Sequence, residues 1–283
     1  LICKQIKIFK PQYYIISNQL VFKKIKKRFK YKKIKIYNNF SDINLKKKRF
    51  DITISSIVGI AGLSPTIKFV KCSKKILLAN KESIICGWHL IKNLSKLHKT
   101  KIIPVDSEHF SIDQLTKNYK DKDIEKIYLT ASGGPFLNKS LNSFKSIKVS
   151  DAIKHPRWKM GKKISIDSSN LMNKVLETIE AYRLFPFKID KYEIIIHPQS
   201  LIHAIVLFKN GQTKFLYHET DMKIPILNAI FENNFDKKNF IYPKKDILKK
   251  FENLKFIKVD KKRFPIVTLL KKFSNNNSGP IIL

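Results

Sequence analysis

A series of short apolar runs, each ending in small or polar residues, is the feature that most constrains how this chain can fold. These runs are predicted to form buried strands, and they cover Ile52–Val58, Ile76–Ala79, Lys101–Val105 and Tyr128–Ala131. Predicted helices follow two of them, one after the turn at Gly59–Thr66 and one over Ile84–His98. Alternating strands and helices are typical of α/β folds, whose ligands bind at the carboxyl ends of strands. We therefore predict an α/β fold with its binding site at the ends of these runs.

The later part of the chain has a different pattern. Tyr192–Ile196 and Ala204–Phe208 are predicted strands, Asn210-Gly211 is a strong hairpin signal, and Gln212–Tyr217 returns after it. We expect this part to be α+β with antiparallel strands, and we expect an apolar helix at Phe264–Phe273.

Residues 1–50 combine short apolar runs with many lysines. Tyr13–Ser17 is a predicted strand and Leu20–Tyr31 a very basic helix, which together favour a βαβ segment, although a basic arm is the alternative. No glycine occurs before Gly59. A dinucleotide phosphate turn needs glycines to bring the backbone close to the pyrophosphate, so these residues contain no such turn.

The charge of the chain is extreme, with 57 Lys+Arg against 22 Asp+Glu in 283 residues and a net charge of +35. Such a charge indicates either a nucleic-acid-binding protein or compositional drift toward lysine. The lysines are spread along the whole chain, which favours drift. Cys3, Cys72 and Cys86 have no paired spacing, so they suggest a reducing compartment and neither a disulfide framework nor a zinc site. No stretch is long and apolar enough to be a predicted membrane span.

The segment from Asp167 to Glu177 has the strongest combination of chemical groups. Apolar residues recur at helical spacing, and Ser168 stands where the helix is expected to begin. Asn173 and Glu177 are four residues apart and share one side of the helix, with Lys174 beside them. A helix start with a hydroxyl, an amide and a lysine suits a phosphate, and a carboxylate further along suits a hard cation. A capped amphipathic helix with a solvated polar face is the alternative.

Asp106 and Glu108 follow another predicted strand. In an extended chain, residues two apart face the same way, so these carboxylates are expected side by side. They would repel each other unless a divalent cation binds them. The alternative is a solvated acidic turn, but in a chain with so few acids the pair favours a metal.

Three further segments are candidates for binding. Asn80-Lys81-Glu82-Ser83 lies at a strand end, where a helix cap is the equally simple explanation. Ser132-Gly133-Gly134 can form a tight turn whose N–H groups hold an anion, or a plain loop. Residues His155–Lys163, with Trp158 between a proline and a glycine, suggest a lid, although a tryptophan anchoring a loop is commoner.

Taken together, these segments resemble the 1-deoxy-D-xylulose 5-phosphate reductoisomerase family. The matching segments occur in the family's order between about Ile57 and Ile230, and they are Leu78-Ala79-Asn80-Lys81-Glu82-Ser83, Pro104-Val105-Asp106-Ser107-Glu108-His109, Thr130-Ala131-Ser132-Gly133-Gly134-Pro135-Phe136, His155–Glu180, and His197-Pro198-Gln199-Ser200 with His203. One such motif would be weak evidence, but five in order make a chance match implausible.

The resemblance implies a role for each matching residue. The implied ligands of Mg²⁺ or Mn²⁺ are Asp106, Glu108 and Glu177. The implied substrate-binding residues are Lys81, Ser107, Glu108, Ser132, His155, Ser168, Asn173, Lys174 and Glu177. The implied NADPH contacts are Asn80, Glu82 and Gly161, with Gly59, Ala61 and Gly62 on the same side. Trp158 and Met160 are the implied lid residues.

The resemblance also implies an activity and an organisation. The substrate rearranges to a branched aldehyde phosphate, which NADPH reduces to 2-C-methyl-D-erythritol 4-phosphate in the non-mevalonate isoprenoid pathway. The implied fold is a partial Rossmann-like NADPH-binding domain (1–103), an α+β catalytic, metal- and substrate-binding domain with a lid loop (104–232), and a connector (233–283).

Several expectations concern what surrounds this chain. We expect a fragment that lacks the family's N-terminal Gly-rich turn and C-terminal helical domain, and therefore little or no turnover. We also expect a homodimer in a bacterial cytoplasm, or second in a plastid-type organelle, with a sugar phosphate as substrate and neither a membrane nor a nucleic acid as partner. A basic nucleic-acid-binding protein and an inactive relative of the enzyme remain as alternatives.

Overall fold

The computed structural model describes residues 1–45, 49–154, 161–232 and 248–273. The chain divides into two compact units, residues 1–50 and residues 51–283. Each unit has its own hydrophobic core, and the two are described separately.

The first unit is a small βαβ segment preceded by a helix. Its elements are α1 (Ile2–Phe9), β1 (Tyr13–Ile15), α2 (Gln19–Arg28) and β2 (Lys35–Tyr37). β1 and β2 pair in parallel, with Tyr14 opposite Ile36. The Asn18 side chain caps α2 by accepting from Val21 N at 3.0 Å, and Ile25 packs with Ile6 in the core. The βαβ segment expected from the sequence is confirmed, whereas α1 was not predicted.

The second unit begins with a three-stranded sheet in the order β3-β4-β5. Its elements are β3 (Phe50–Ser55), α3 (Leu63–Val70), β4 (Ser73–Leu78), α4 (Lys81–Leu97) and β5 (Lys101–Pro104). β4 and β5 are parallel, with Leu78 opposite Pro104. Ile76 and Leu78 of β4 pack against Ile84 and Ile91 of α4, which covers the sheet. The predicted alternation of strands and helices is confirmed here.

A five-stranded mixed sheet, in the order β10-β7-β6-β8-β9, forms the rest of the framework. The elements around it are α5 (Ser107–Thr116), β6 (Ile124–Ala131), α6 (Val149–Ile153), α7 (Lys162–Ser169), α8 (Met172–Leu184), β7 (Tyr192–Ile196), β8 (Ile202–Phe208), β9 (Thr213–Tyr217), α9 (Lys223–Phe231), α10 (Leu248–Phe251) and β10 (Ile257–Lys258). β6 and β7 are parallel, and β8 is antiparallel to both β6 and β9. Gly211, at φ 84°, makes the predicted hairpin turn between β8 and β9.

Two helices pack on this sheet through one apolar cluster. Ile112 of α5 and Ala181 of α8 join Ile127 of β6 and Val206 of β8, and all four are fully buried. The predicted apolar helix near the end is a 3₁₀-helix, Pro265–Lys272, whose Val267 packs against the second cluster of this unit. Within the described residues, no helix combines the length and the apolar character needed to cross a membrane.

Candidate metal and phosphate site

The candidate site lies where β4, β5 and β6 end and where α4 and α5 begin, with α8 alongside. Lys81 is the first residue of α4, Asp106 follows β5, and Ser132 follows β6. The site therefore occupies the carboxyl ends of the strands, where α/β proteins bind ligands. A cavity of about 250 Å³ is lined by residues of α4, α5, β6 and α8 and by residues that follow β4 and β5.

Asp106 and Glu108 approach each other in a different way from the one expected. The sequence suggested an extended segment, but α5 begins at Ser107, so that interpretation is wrong. Asp106 is the N-cap of α5 and accepts a hydrogen bond from Ser107 N at 3.1 Å. Glu108 lies in the first turn, where an acidic side chain is favoured by the helix dipole. The helix start, and not strand alternation, therefore directs both carboxylates.

The helix that carries Glu177 also begins later than expected. Ser168 and Ser169 end α7, and Leu171, at φ 67°, separates α7 from α8. The predicted helix start at the two serines is therefore wrong. The break lets Ser168 of α7 and Asn173 of α8 both line the cavity.

Two buried lysines hold the carboxylates together. Lys81 Nζ lies 2.7 Å from Asn173 Oδ1, 3.1 Å from Glu177 Oε1 and 3.3 Å from Asp106 Oδ2. Lys174 Nζ lies 2.5 Å from Glu108 Oε1 and 2.6 Å from Glu177 Oε2. Each lysine is 7% exposed, so these contacts are shielded from water.

Opposite charges within this cluster outweigh the effect of burial on the pKa values of its members. Burial lowers the pKa of Lys81, but Asp106 and Glu177 outweigh it, so the pKa lies well above its usual value. Burial raises the pKa of Glu108, but the Lys174 ammonium outweighs it, and the pKa lies well below its usual value. Both groups are therefore ionised near neutral pH.

The donor set suits a hard divalent cation. Asp106, Glu108 and Glu177 each offer one oxygen, and the three oxygens lie within 4.8 Å of one another. Glu177 is 2% exposed, and its Oε2 makes no hydrogen bond within the described residues, although Lys174 Nζ is close. Three carboxylates face two ammonium groups, which favours one further cation. All-oxygen ligation is typical of Mg²⁺ and Mn²⁺.

Hydroxyl, amide and ammonium groups adjoin the carboxylates on one side of the cavity. Ser132, Ser168, Asn173 and Lys174 line the same cavity. Gly134 has φ 63°, and a Cβ there would lie 2.8 Å from the carbonyl oxygen of Ser168. Only glycine allows this close approach of the Ser132 turn to the end of α7. The turn expected from the paired glycines therefore brings two hydroxyls, an amide and an ammonium group to one place.

The two family models that match this chain both describe one enzyme. The model of 1-deoxy-D-xylulose 5-phosphate reductoisomerase matches residues 1–87, and the model of its C-terminal domain matches residues 102–185. The reductoisomerase of Pelagibacter ubique is 48% identical over 278 residues, which are 97% of this chain and 71% of that protein. The chain belongs to the 1-deoxy-D-xylulose 5-phosphate reductoisomerase family.

Further relatives agree with this assignment. The reductoisomerase of Wolbachia pipientis wMel is 41% identical over 279 residues, which are 98% of this chain and 70% of that protein. A crystal structure of a DOX-P reductoisomerase in complex with NADPH, fosmidomycin and magnesium matches with a TM-score of 0.85 at 32% identity, covering 96% of this chain and 69% of that one. The reductoisomerase of Zymomonas mobilis in complex with NADPH matches with a TM-score of 0.82 at 31% identity, covering 95% and 69%. The resemblance and the α/β fold class predicted from the sequence are confirmed.

Of the residues that the family resemblance assigns to NADPH, Asn80 and Glu82 flank Lys81, which lines this cavity, and Gly161 precedes α7. Asn80 is 2% exposed and caps α4, accepting from Ser83 N at 2.8 Å. Its Nδ2 donates to the carbonyl oxygens of Ile57 at 2.6 Å and Gly59 at 3.0 Å. Glu82 lies 3.4 Å from Lys163 Nζ, and Gly161 is the N-cap of α7. Asn80 thus has the capping role that was the alternative explanation, and it also organises the turn after β3.

The predicted lid cannot be compared with the structure. His155, Trp158 and Met160 lie outside the described residues. Their assignment to the substrate and the lid of the reductoisomerase site stays a prediction.

Ser200 and His203 are among the residues that line the cavity without a role assigned from the sequence. Ser200 has φ 53°, is 6% exposed, and its Oγ has no hydrogen-bond partner within the described residues. His203 Nδ1 lies 3.9 Å from Glu108 Oε1, and its ring stacks on His218 with the centroids 4.0 Å apart. The segment His197-Pro198-Gln199-Ser200 with His203 was part of the family resemblance, and that motif was the signal available.

Proposed function

We propose that the cavity binds 1-deoxy-D-xylulose 5-phosphate and converts it, with NADPH, to 2-C-methyl-D-erythritol 4-phosphate for isoprenoid biosynthesis. The observation that supports this most strongly is the meeting of three carboxylates with a polar, cationic pocket in one cavity of about 250 Å³. Membership of the reductoisomerase family indicates the reaction. The geometry supports it, because the carboxylates suit a cation that binds the sugar oxygens, and the hydroxyl, amide and ammonium groups suit the phosphate.

Asp106, Glu108 and Glu177 are the proposed ligands of Mg²⁺ or Mn²⁺. Such a cation, when bound, polarises a carbonyl oxygen as a Lewis acid. Lys81 and Lys174 already hold these carboxylates in position, at 2.5 to 3.3 Å. Because a lysine side chain has four rotatable bonds, these ammonium groups can turn from the carboxylates toward substrate oxygens when the cation binds.

Ser132, Ser168, Asn173 and Lys174 are the proposed phosphate-binding groups, with His155 as a further one. Hydroxyl, amide and ammonium donors are suited to phosphate oxygens. Lys81, Ser107, Glu108 and Glu177 are proposed to contact the oxygens at the other end of the substrate. Ser107 Oγ donates to Glu108 Oε2 at 2.6 Å, so its hydroxyl is already oriented within the cavity.

Asn80, Glu82 and Gly161 are the proposed NADPH contacts, and NADPH supplies the reducing equivalents when bound. The proposed lid, with Trp158 and Met160, would exclude water from the cavity. We further propose the domain limits 1–103, 104–232 and 233–283, assembly as a homodimer, and a bacterial cytoplasmic location, since the relatives named above are bacterial.

Metal-dependent ligand binding tests the site. Fosmidomycin, which is bound in a related structure, should bind the 283-residue chain only with Mg²⁺ or Mn²⁺, as measured by calorimetry. Glu177→Gln should abolish this binding because it removes one of three carboxylate ligands. Glu193→Gln, a change in an exposed strand residue, is the matched control and should bind normally.

The reaction itself is tested by mass spectrometry after incubation with 1-deoxy-D-xylulose 5-phosphate, NADPH and Mg²⁺, which detects even slow turnover. Product formation should require the cation and vanish in Glu177→Gln. Fosmidomycin binding that persists after a chelator removes the cation would contradict the proposal. Binding that weakens only with added salt would also contradict it, because salt sensitivity alone is typical of nonspecific anion binding.

A further inference from the structure

His109 lies between the two helices that carry the carboxylates of the site. It is the third residue of α5, and its side chain is fully buried. Its Nε2 lies 2.9 Å from the carbonyl oxygen of Glu177 in α8. A carbonyl oxygen can only accept, so Nε2 carries the hydrogen and donates it. This contact connects α5 to α8 at the residue that supplies one of the three carboxylates.

The other ring nitrogen of His109 faces Glu180. Nδ1 lies 3.5 Å from Glu180 Oε2 and 4.0 Å from Asp106 Oδ2. Glu180 is 1% exposed and lies in the next turn of α8 after Glu177. In the described part of the chain, neither His109 Nδ1 nor Glu180 Oε2 has a hydrogen-bond partner elsewhere. α8 therefore approaches both sides of the imidazole, with a main-chain carbonyl and with a carboxylate.

The placement of α5 against α8 decides whether the three carboxylates meet. Asp106 caps α5, Glu108 lies in its first turn, and Glu177 lies in α8. The contact of Lys174 with Glu108 also joins these helices, but it uses a carboxylate that would change partner on binding a cation. The contact of His109 with the Glu177 carbonyl uses no ligand oxygen, so it can persist when a cation binds.

We propose that Glu180 is a positioning residue for the divalent-cation site. Glu180 holds the imidazole of His109, and His109 fixes the main chain of α8 at Glu177 against the start of α5. Glu180 is not among the described residues that line the cavity, so it acts through His109. This inference rests on the proposed function, since it requires Asp106, Glu108 and Glu177 to bind the cation.

The affinity for Mn²⁺, measured by electron paramagnetic resonance of the free ion, tests this role in the full 283-residue chain. Glu180→Ala should weaken Mn²⁺ binding about 10- to 100-fold, the usual cost of removing a group that orients metal ligands. Glu180→Gln should restore most of the affinity, because its amide can accept from Nδ1 of a protonated ring, as a carboxylate does, or donate to Nδ1 of a neutral ring. Equal affinity in the alanine variant and the wild type would overturn the positioning role alone, whereas a wild type that binds no Mn²⁺ would overturn the proposed function as well.

Thr178→Val is the matched control on the same helix. Thr178 is fully buried and its hydroxyl donates to the Lys174 carbonyl oxygen at 2.8 Å. This variant should lower the Tm, since it removes one buried hydrogen bond, and leave Mn²⁺ affinity unchanged. A loss of affinity equal to that of Glu180→Ala would show a general effect of weakening α8 and would overturn the proposal.

The number of bound ions separates positioning from direct ligation. Asp106, His109 and Glu180 offer three ligand atoms within 4.8 Å of one another, so a second cation is the competing role for Glu180. We expect one Mn²⁺ per wild-type chain and one per Glu180→Gln chain. Two ions in the wild type and one in the glutamine variant would overturn the proposal.

Nitrogen NMR of the wild type is a further test that does not depend on whether a variant folds. His109 should carry a proton on Nε2 with and without Mg²⁺, as the contact with the Glu177 carbonyl requires. A ring protonated only on Nδ1 would remove that contact and overturn the proposal.

Discussion

The buried cluster around Glu177 and the helix α2 use lysine in opposite ways. Lys81 and Lys174 are each 7% exposed and contact carboxylates at 2.5 to 3.3 Å. In α2, basic residues form most of the exposed surface, and no acidic residue lies in its first turn. Asp42 is the only acidic residue in the first fifty. The same residue type is thus paired in one region and solvated in the other.

This difference explains why the net charge of +35 says little about function. A solvated lysine costs little whether or not it has a partner. A buried one requires a carboxylate, and the loss of either partner leaves an uncompensated charge in a medium of low dielectric. The positions of the few acidic residues are therefore more informative than the number of lysines.

Removing one buried cation should have the largest effect on stability. Lys174→Met leaves Glu108 without an ammonium partner and Glu177 with Lys81 alone, which should lower the free energy of unfolding by about 3–5 kcal/mol. Lys24→Met on α2 is the matched control and should change it by less than about 0.5 kcal/mol. Urea unfolding measures both. Mg²⁺ should recover part of the loss in Lys174→Met, and equal stability of the two variants would break the comparison.

A buried histidine behind the cluster should lower stability in mild acid, whereas Glu180, whose pKa burial raises from 4.5 to about 7, should act in the opposite direction. Burial, together with the neighbouring His203, lowers the pKa of His218 from 6.5 to about 4. Between these values the unfolded chain binds the histidine proton more readily, so the contribution of His218 to stability falls as the pH falls from 6.5 toward 4. The full effect is at most about 3 kcal/mol, because each pKa unit corresponds to about 1.4 kcal/mol.

Urea unfolding across this pH range checks that expectation. His218→Gln should remove this contribution, so that its stability at pH 4 relative to that at pH 6.5 is higher than in the wild type, whereas His89→Gln, at an exposed position of α4, should leave the dependence on pH unchanged. An equally steep loss of stability in the His218 variant would show that other groups cause it.

The smallest effects should come from the solvated lysines. Replacing Lys23, Lys24 and Lys27 of α2 together with Gln should change the free energy of unfolding by less than about 0.5 kcal/mol. The variant should elute from heparin at lower salt, because fewer cationic contacts form. Metal-dependent fosmidomycin binding should be unchanged, and its loss would mean that surface charge contributes to the site.

The sequence predicted which residues share the site better than it predicted how they come together. Asp106 and Glu108 were expected to meet, and they do, yet through a helix start and not an extended segment. The pattern of apolar residues located most of the strands, because burial depends on residue type, but it located neither β2 nor β10. It could not give the start of α5, since Asp106 is equally suited to a strand end and a helix cap.

Other features depend on contacts between distant segments. Nothing local marks Leu171 as the break between α7 and α8, because a leucine at positive φ is held there by tertiary packing. His109 and Glu180 face each other only because α5 and α8 pack on the same sheet. Ser200 belongs to a motif of the family resemblance, but only the structure shows that its hydroxyl is buried and has no hydrogen-bond partner in the described part of the chain.

The close approach of Gly134 to the Ser168 carbonyl has a consequence for how such a chain can change. The width of that gap is set by peptide groups alone, so substitutions elsewhere on the exterior leave it as it is. A lineage can therefore exchange much of its outer composition for lysine, asparagine and isoleucine while this turn keeps the same distance from α7. What it cannot add at this point is a methyl carbon at position 134.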